Sequence, residues 1–267
     1  MIRDITIGQY YKADSVIHRL DPRVKLMGTL IFIISLFMGM NIWIYAVVTV
    51  ALAVVIKMSR IPLKFMVRGL KSIVILIIIS AVFNLFLTPG DVLIQIWKLT
   101  ITYQGLKMAI FMVVRLIYLI VGTSLMTLTT TPNNLTDGLE KGLGFLKVIK
   151  VPVHEIAMMM SIALRFIPIL IEETDKIMKA QMARGADFEN GSLIKRAKAM
   201  VPILVPLFVS AFRRANELAM AMEARCYHGS EGRTKMKPLK YEKRDRIAYI
   251  SMVLYLGVII IGKIIAA

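Results

Sequence analysis

Thirty-one consecutive residues, Leu26 to Ile56, pass without a charged side chain. Uncharged runs recur over Ser72 to Gly90 (19 residues), Leu116 to Thr136 (21) and Ile247 to Gly262 (16). A bilayer core is crossed by a helix of roughly 20 mostly apolar residues, so the pattern predicts a polytopic membrane protein. A soluble domain is about half apolar with charge interleaved. Here 57% of the 267 residues are hydrophobic and the charge concentrates between the runs. That excludes a soluble enzyme, a secreted disulfide scaffold and a disordered tail. Cys226 is the single cysteine and forms no internal disulfide or cysteine metal cluster. The first 25 residues are polar and charged, so a signal peptide is not expected.

The cations set the topology. Residues 57–71 carry Lys57, Arg60, Lys64, Arg68 and Lys71 with no acid, whereas 88–104 carry only Lys98 and Asp91. Basic short loops mark the cytoplasmic side, which puts 57–71 inside and 88–104 outside. The run 26–56 is long for one span, and Gly39-Met40-Asn41, followed by Trp43 and Tyr45, reads as a tight turn between two short helices. Five spans follow, with the N-terminus and residues 129–245 cytoplasmic and the C-terminus outside. Acids are absent between Asp21 and Asp91, between Asp91 and Asp137, and after Asp245. Ion-coupled carriers keep carboxylates in their spans, so an independent carrier or channel is the weaker alternative. Arg115 stands alone inside a span. It is either satisfied within the bundle, by carbonyls or a neighbour such as Asn84, or in contact with substrate or lipid.

The region 131–245 reads as a coupling domain, with 1–130 and 246–267 forming the membrane part. Thr131-Pro132 is a hydroxyl cap followed by proline at the first helical position, and that helix is expected to reach about Phe145. A long helix is predicted from about His154 to Arg184. Its first half, Ile156 to Ile171, is apolar but carries Arg165 and Pro168, which suits a surface or packed helix better than a span. In its second half Leu170, Ile171, Thr174, Ile177, Met178 and Met182 share one face. Glu172–Lys176 and Asp175–Lys179 form i,i+4 pairs on the other. A second amphipathic helix is predicted to start between Pro206 and Phe212 and to end near Arg225. Ala211, Ala215, Leu218, Ala219 and Met222 make its apolar face, with Arg213, Arg214, Asn216, Glu217 and Glu223 turned away.

The two long helices end alike, in Ala183-Arg184-Gly185 and Ala224-Arg225-Cys226. Arginine in a last turn suits the helix dipole, and a following glycine takes the left-handed closing conformation. A small alanine admits a second surface, and a guanidinium offers a planar fork to a carboxylate. One such end is ordinary capping; two on long amphipathic helices read as docking points. A non-glycine residue in a left-handed cap costs about 1 kcal/mol, which sets closure at Cys226 against continuation to Gly229.

These segments resemble the transmembrane T components of energy-coupling factor (ECF) transporters, prokaryotic importers of vitamins and trace metals. The resemblance rests on Asp14-Ser15 and His18 through Leu26, on Ala163-Leu164-Arg165-Phe166-Ile167-Pro168, and on Ala180 through Phe188. It also rests on Ala221-Met222-Glu223-Ala224-Arg225 with Tyr227 and Gly229. It covers nearly the whole chain, and Cys226 departs from it where glycine is usual. It implies an all-α membrane scaffold that joins two ABC-type ATPases to one or more substrate-binding membrane S components, in the prokaryotic plasma membrane. Carried over, Ala183, Arg184, Gly185, Ala224, Arg225 and Cys226 would dock the ATPases. Met158, Met159, Leu170, Ile171, Ile177, Met178, Met182, Leu218 and Met222 would face the S component.

The residues agree with such a division of labour. No GxxxxGK[ST] phosphate loop is present, so the chain is not the ATPase. Three scattered histidines and one cysteine predict neither a metal site nor a cofactor. Clustered carboxylates and Ser/His/Asp sets are missing, which argues against a membrane-embedded enzyme. The basic loops are explained by topology and anionic lipid rather than nucleic acid. The 19 methionines serve either as core filler or as an adaptable surface for several S components.

Overall fold

The computed structural model describes residues 10–71, 73–96, 99–188, 192–229, 236 and 238–265. The uncharged runs become helices. The order is α1 (Pro22–Phe37), α2 (Ile42–Ser59), α3 (Leu63–Lys71), α4 (Val74–Leu87), β1 (Val92–Ile96), β2 (Leu99–Thr102) and α5 (Tyr103–Thr129). Then follow α6 (Pro132–Gly142), a 3-10 turn (Gly144–Ile149), α7 (Val153–Ala183), α8 (Leu193–Glu223) and α9 (Lys243–Ile265). The chain is an all-α polytopic membrane protein carrying one small hairpin. α2, α5, α7 and α9 are long and apolar enough to cross a bilayer, and α3 with α4 forms one bent candidate. The total of four or five compares with five expected, but the membership differs. α1 has 16 residues, about 24 Å at 1.5 Å per residue, and falls below the length of the others; α7 qualifies despite Arg165.

Two further differences have local causes. The segment 88–104, expected as a loop, holds an antiparallel hairpin pairing Ile94 with Ile101 and Ile96 with Leu99; Lys98 lies outside the described residues. Its β-branched residues suit paired strands, and Thr102 ties the hairpin down by donating to the Thr88 carbonyl at 2.8 Å. The basic segment 57–71 is in part the amphipathic helix α3, which buries Met66. The Gly39–Asn41 turn does separate α1 from α2, and Thr131 does cap α6 by accepting from the Asn134 amide at 3.3 Å. α6 ends at Gly142, short of Phe145.

The described residues fall into two compact units. One holds α1 to α6, the hairpin and α9; the other holds the 3-10 turn, α7 and α8. In the first, Leu36, Ile44, Tyr45, Val48 and Ile259 form one core, and Ile61, Met66, Leu125 and Leu128 a second. Gly122 lets α1 and α5 close up, because a Cβ there would meet the Phe32 ring at 2.4 Å.

The polar opening of the chain is structural. Asp21 caps α1, accepting from the Arg23 amide at 2.9 Å and from its guanidinium at 3.0 and 2.8 Å. Arg23 lies over the Tyr241 ring, 3.8 Å from its centroid. Asp245, 1% exposed, accepts from the Asp21 amide at 2.9 Å and from the Glu242 amide at 2.8 Å, joining the starts of α1 and α9. Lys25 Nζ donates to the Thr129 carbonyl at 2.8 Å and so closes the end of α5. His18 Nε2 donates to the Tyr11 carbonyl at 3.0 Å, which leaves Nδ1 to accept from the Ser15 hydroxyl at 2.7 Å. Burial pushes the His18 pKa below its ordinary value, as a neutral ring with both nitrogens used requires. Burial pulls Asp21 upward, but the Arg23 contacts outweigh it and hold the carboxyl below the usual range.

Candidate functional site

The candidate site is built on α7 and α8, which pack as a pair. Glu173 of α7 accepts from the Ser210 hydroxyl at 2.7 Å and from the Arg214 guanidinium at 2.9 Å, both on α8. Ser210 is buried and Arg214 half-buried. Arg214, expected on the outer polar face, therefore turns inward, because it has a carboxylate to meet there. Ile203, Ser210, Arg214, Leu218 and Met222 recur at spacings of seven and four and form the more buried stripe of α8.

α8 begins at Leu193, more than three turns before the predicted start, and passes through Pro202 and Pro206. Each proline removes one helical donor. Their spacing of four places both losses on one side of the helix, so the opposite side keeps its ladder. α7 tolerates Pro168 in the same way.

Both helices close by the same backbone device. At the end of α7 the Gly185 amide donates to the Met182 carbonyl at 2.9 Å and the Ala186 amide to the Gln181 carbonyl at 3.0 Å, with Gly185 at φ +88°. At the end of α8 the Cys226 amide donates to the Glu223 carbonyl at 2.8 Å and the Tyr227 amide to the Met222 carbonyl at 3.1 Å, with Cys226 at φ +54°. These are paired 5→2 and 6→1 bonds of the Schellman type. The helix thus closes at Cys226 rather than continuing to Gly229. Two carbonyls satisfied at about 1 kcal/mol each outweigh about 1 kcal/mol of left-handed strain. Capping is done by the backbone, the Arg184 and Arg225 amides included, which donate to the Gln181 and Met222 carbonyls at 3.0 and 3.1 Å; the guanidinium groups take no part in it. Ala183, Arg184, Gly185, Ala224, Arg225 and Cys226 are all exposed.

The residues expected to face a membrane partner divide. Met159 and Met182 are exposed, at 58% and 50%. Met158, Leu170, Ile171, Ile177, Met178, Leu218 and Met222 are half-buried, the last two on the more buried stripe of α8. A larger apolar surface went unpredicted: Val201, Leu204, Val205, Phe208, Val209 and Phe212 are each more than half exposed. Phe208 and Phe212 pack against each other with ring centroids 4.6 Å apart and planes tilted by 56°. The i, i+3, i+4, i+7 spacing carries this stripe, but it is visible only if the helix is allowed to begin before Pro202. Among the described residues no group of three or more His, Cys, Asp or Glu is placed to hold a metal ion.

A family model described as cobalt transport protein matches residues 13–236. A Clostridium kluyveri protein named energy-coupling factor transporter transmembrane protein EcfT is 54% identical over 266 residues, covering 99% of this chain and 98% of that protein. The chain belongs to this family of ECF transporter transmembrane proteins. Proteins of the same name from Thermosediminibacter oceani and Bacillus subtilis are 54% and 47% identical, over 98% and 95% of this chain and 98% and 96% of their own. The family match spans both compact units, from the polar opening that ties α1 to α9 through both arginine helix ends. The chain is accordingly the transmembrane component of an ECF transporter.

Proposed function

We propose that the chain is a non-catalytic coupling scaffold that links two ABC-type ATPases to a substrate-binding S component in the plasma membrane of a prokaryote. The pair of matching helix ends carries this reading. Each presents an exposed arginine whose guanidinium its own helix does not use, beside a small exposed alanine. Such a guanidinium suits a carboxylate in a partner's groove. Arg184 and Arg225 dock one ATPase each, and the region 131–245 that carries them is cytoplasmic, as is the N-terminus; the C-terminus is outside. The apolar stripe of α8, with Met159 and Met182 of α7, meets the S component. ATP-driven movement of the ATPase pair then shifts α7 and α8 and tilts the S component to release substrate inward. The substrate is a vitamin or trace metal chosen by that separate subunit, which accords with a family description naming cobalt and relatives' names carrying no substrate. The reading as an independent carrier is disfavoured by the absence of acids from the apolar runs.

Affinity purification of the tagged chain from its native membrane in mild detergent, followed by mass spectrometry, tests this. Two ABC ATPases with one or more small membrane proteins are expected. A chain that purifies alone and transports by itself in liposomes overturns the proposal.

A further inference from the structure

Glu173 stands as far from the arginine that ends α7 as Arg214 does from the arginine that ends α8. Eleven residues separate Glu173 from Arg184, and eleven separate Arg214 from Arg225. At 1.5 Å per residue each stretch of helix is about 16 Å long. These equivalent positions carry opposite charges, and they meet. The Arg214 guanidinium donates to Glu173 Oε2 at 2.9 Å, and the Ser210 hydroxyl donates to Oε1 at 2.7 Å. Both carboxylate oxygens are therefore held from α8, by side chains one helical turn apart.

A contact of this kind differs mechanically from the apolar packing around it. Aliphatic side chains gain little from any single pair of atoms, so packed helices slide past one another in small shear steps. A carboxylate gripped at two points forbids the slide, because moving α7 along α8 breaks both bonds together. Ser210 is buried, and the Nε of Arg214 is closed off from solvent with no hydrogen bond among the described residues. Taking the carboxylate away would leave that guanidinium partly buried without its anion, which is unfavourable. The clamp thus opposes translation while leaving rotation about itself open. It also divides each helix in two. On the C-terminal side lie the arms that end in Arg184 and Arg225. On the N-terminal side lie Met159 of α7 and Val201, Leu204 and Val205 of α8, all more than half exposed.

We propose that Glu173, Ser210 and Arg214 form the fulcrum of the helix pair. They are positioning residues about which α7 and α8 turn, so that displacement of the two arginine-bearing arms reappears as displacement of the apolar arms. The equal lengths of the docking arms give both ends the same leverage. This rests on the docking of Arg184 and Arg225 proposed above.

Pulsed electron spin resonance on the full complex, purified with its ATPases, tests the fulcrum. Spin labels on non-canonical side chains at Lys179 and Met220 leave Cys226 untouched; both positions are exposed, and each lies five residues before its arginine. The distance between them is compared in the nucleotide-free and the ATP–vanadate-trapped complex. Wild type is expected to shift on trapping. E173Q is expected to keep both ATPases but to lose most of the shift, and the charge exchange E173R/R214E to restore it. S210A keeps the ion pair, loses less of the shift than E173Q, and serves if E173Q does not fold. A full shift in E173Q and S210A, with only a lower melting temperature, makes the contact a structural tie and overturns the fulcrum. A wild-type complex that holds its ATPases and shows no shift also overturns it. A wild-type chain that recovers no ATPase overturns the docking reading, and the fulcrum with it.

Discussion

α5 and α7 are both long and apolar enough to cross a bilayer, with 27 and 31 residues and mean hydropathies of 2.1 and 1.6 over their most apolar windows, yet 28% of that window is buried in α5 against 6% in α7. α5 is held by neighbours on several sides. Within its own unit α7 packs mainly against α8. Composition already hints at the difference, since α7 carries Arg165, Pro168 and a charged second half where α5 carries only Lys107 and Arg115; packing confirms it, separating a helix held on several sides from one paired mainly with its neighbour. The bundle is tied internally through Asp21, Lys25 and Asp245, and the helix pair ends in two arginine side chains that nothing in it requires.

The strongest challenge to that contrast is charge reversal. R184E or R225E is expected to weaken ATPase binding by about 2–5 kcal/mol, the scale for one partner of a desolvated charge pair, while the purified chain melts as wild type does. Unchanged complex yield in both variants would sink the docking assignment. In the bundle the order reverses. D245A strips the acceptor from the buried Asp21 amide and from the Glu242 amide and is expected to cost about 1–3 kcal/mol of stability, read as a lower melting temperature of the chain alone.

Smaller effects sharpen the contrast. C226G relieves about 1 kcal/mol of left-handed strain and returns part of it as freedom of the unfolded chain. A net gain of about 0.5 kcal/mol is expected; a loss would mean the Cys226 side chain has a role beyond capping. F208D should change stability by no more than about 0.5 kcal/mol while lowering recovery of the membrane partner. If ATPase recovery falls instead, the faces of α8 are wrongly assigned. The pH response is smallest. The His18 pKa lies below the ordinary value of about 6.5 when folded, so the unfolded chain takes up the proton first. Stability is therefore full above about 6.5 and falls as pH drops toward the folded value. H18Q should flatten that part of a melting-temperature profile.

Features governed by neighbours in sequence were legible. The α1–α2 turn at Gly39–Asn41, the cap at Thr131, and the ends of α7 and α8 at Arg184 and Arg225 all follow from local chemistry. Features governed by distant residues were not. Arg214 has no sign in sequence that Glu173 will draw it inward, and Asp245 looks like a solvated acid until the Asp21 amide is beside it. The start of α8 was hidden for another reason: Pro202 and Pro206 normally stop a helix, and only their shared side spares this one. That misplaced start concealed the Val201–Phe212 stripe, so the most exposed apolar surface of the candidate site was the part least readable.

The bond from the Asp21 amide to Asp245 spans 224 residues. At roughly 5–20 residues per second of synthesis, the first helix waits on the order of 10–45 s for the carboxylate that seats it. Until α9 leaves the ribosome, the opening of the chain is held by the Asp21 cap and by the Lys25 bond to the Thr129 carbonyl, without the acceptor for the Asp21 amide. A nascent chain truncated before residue 245 lacks that acceptor, so the last helix completes the seat of the first.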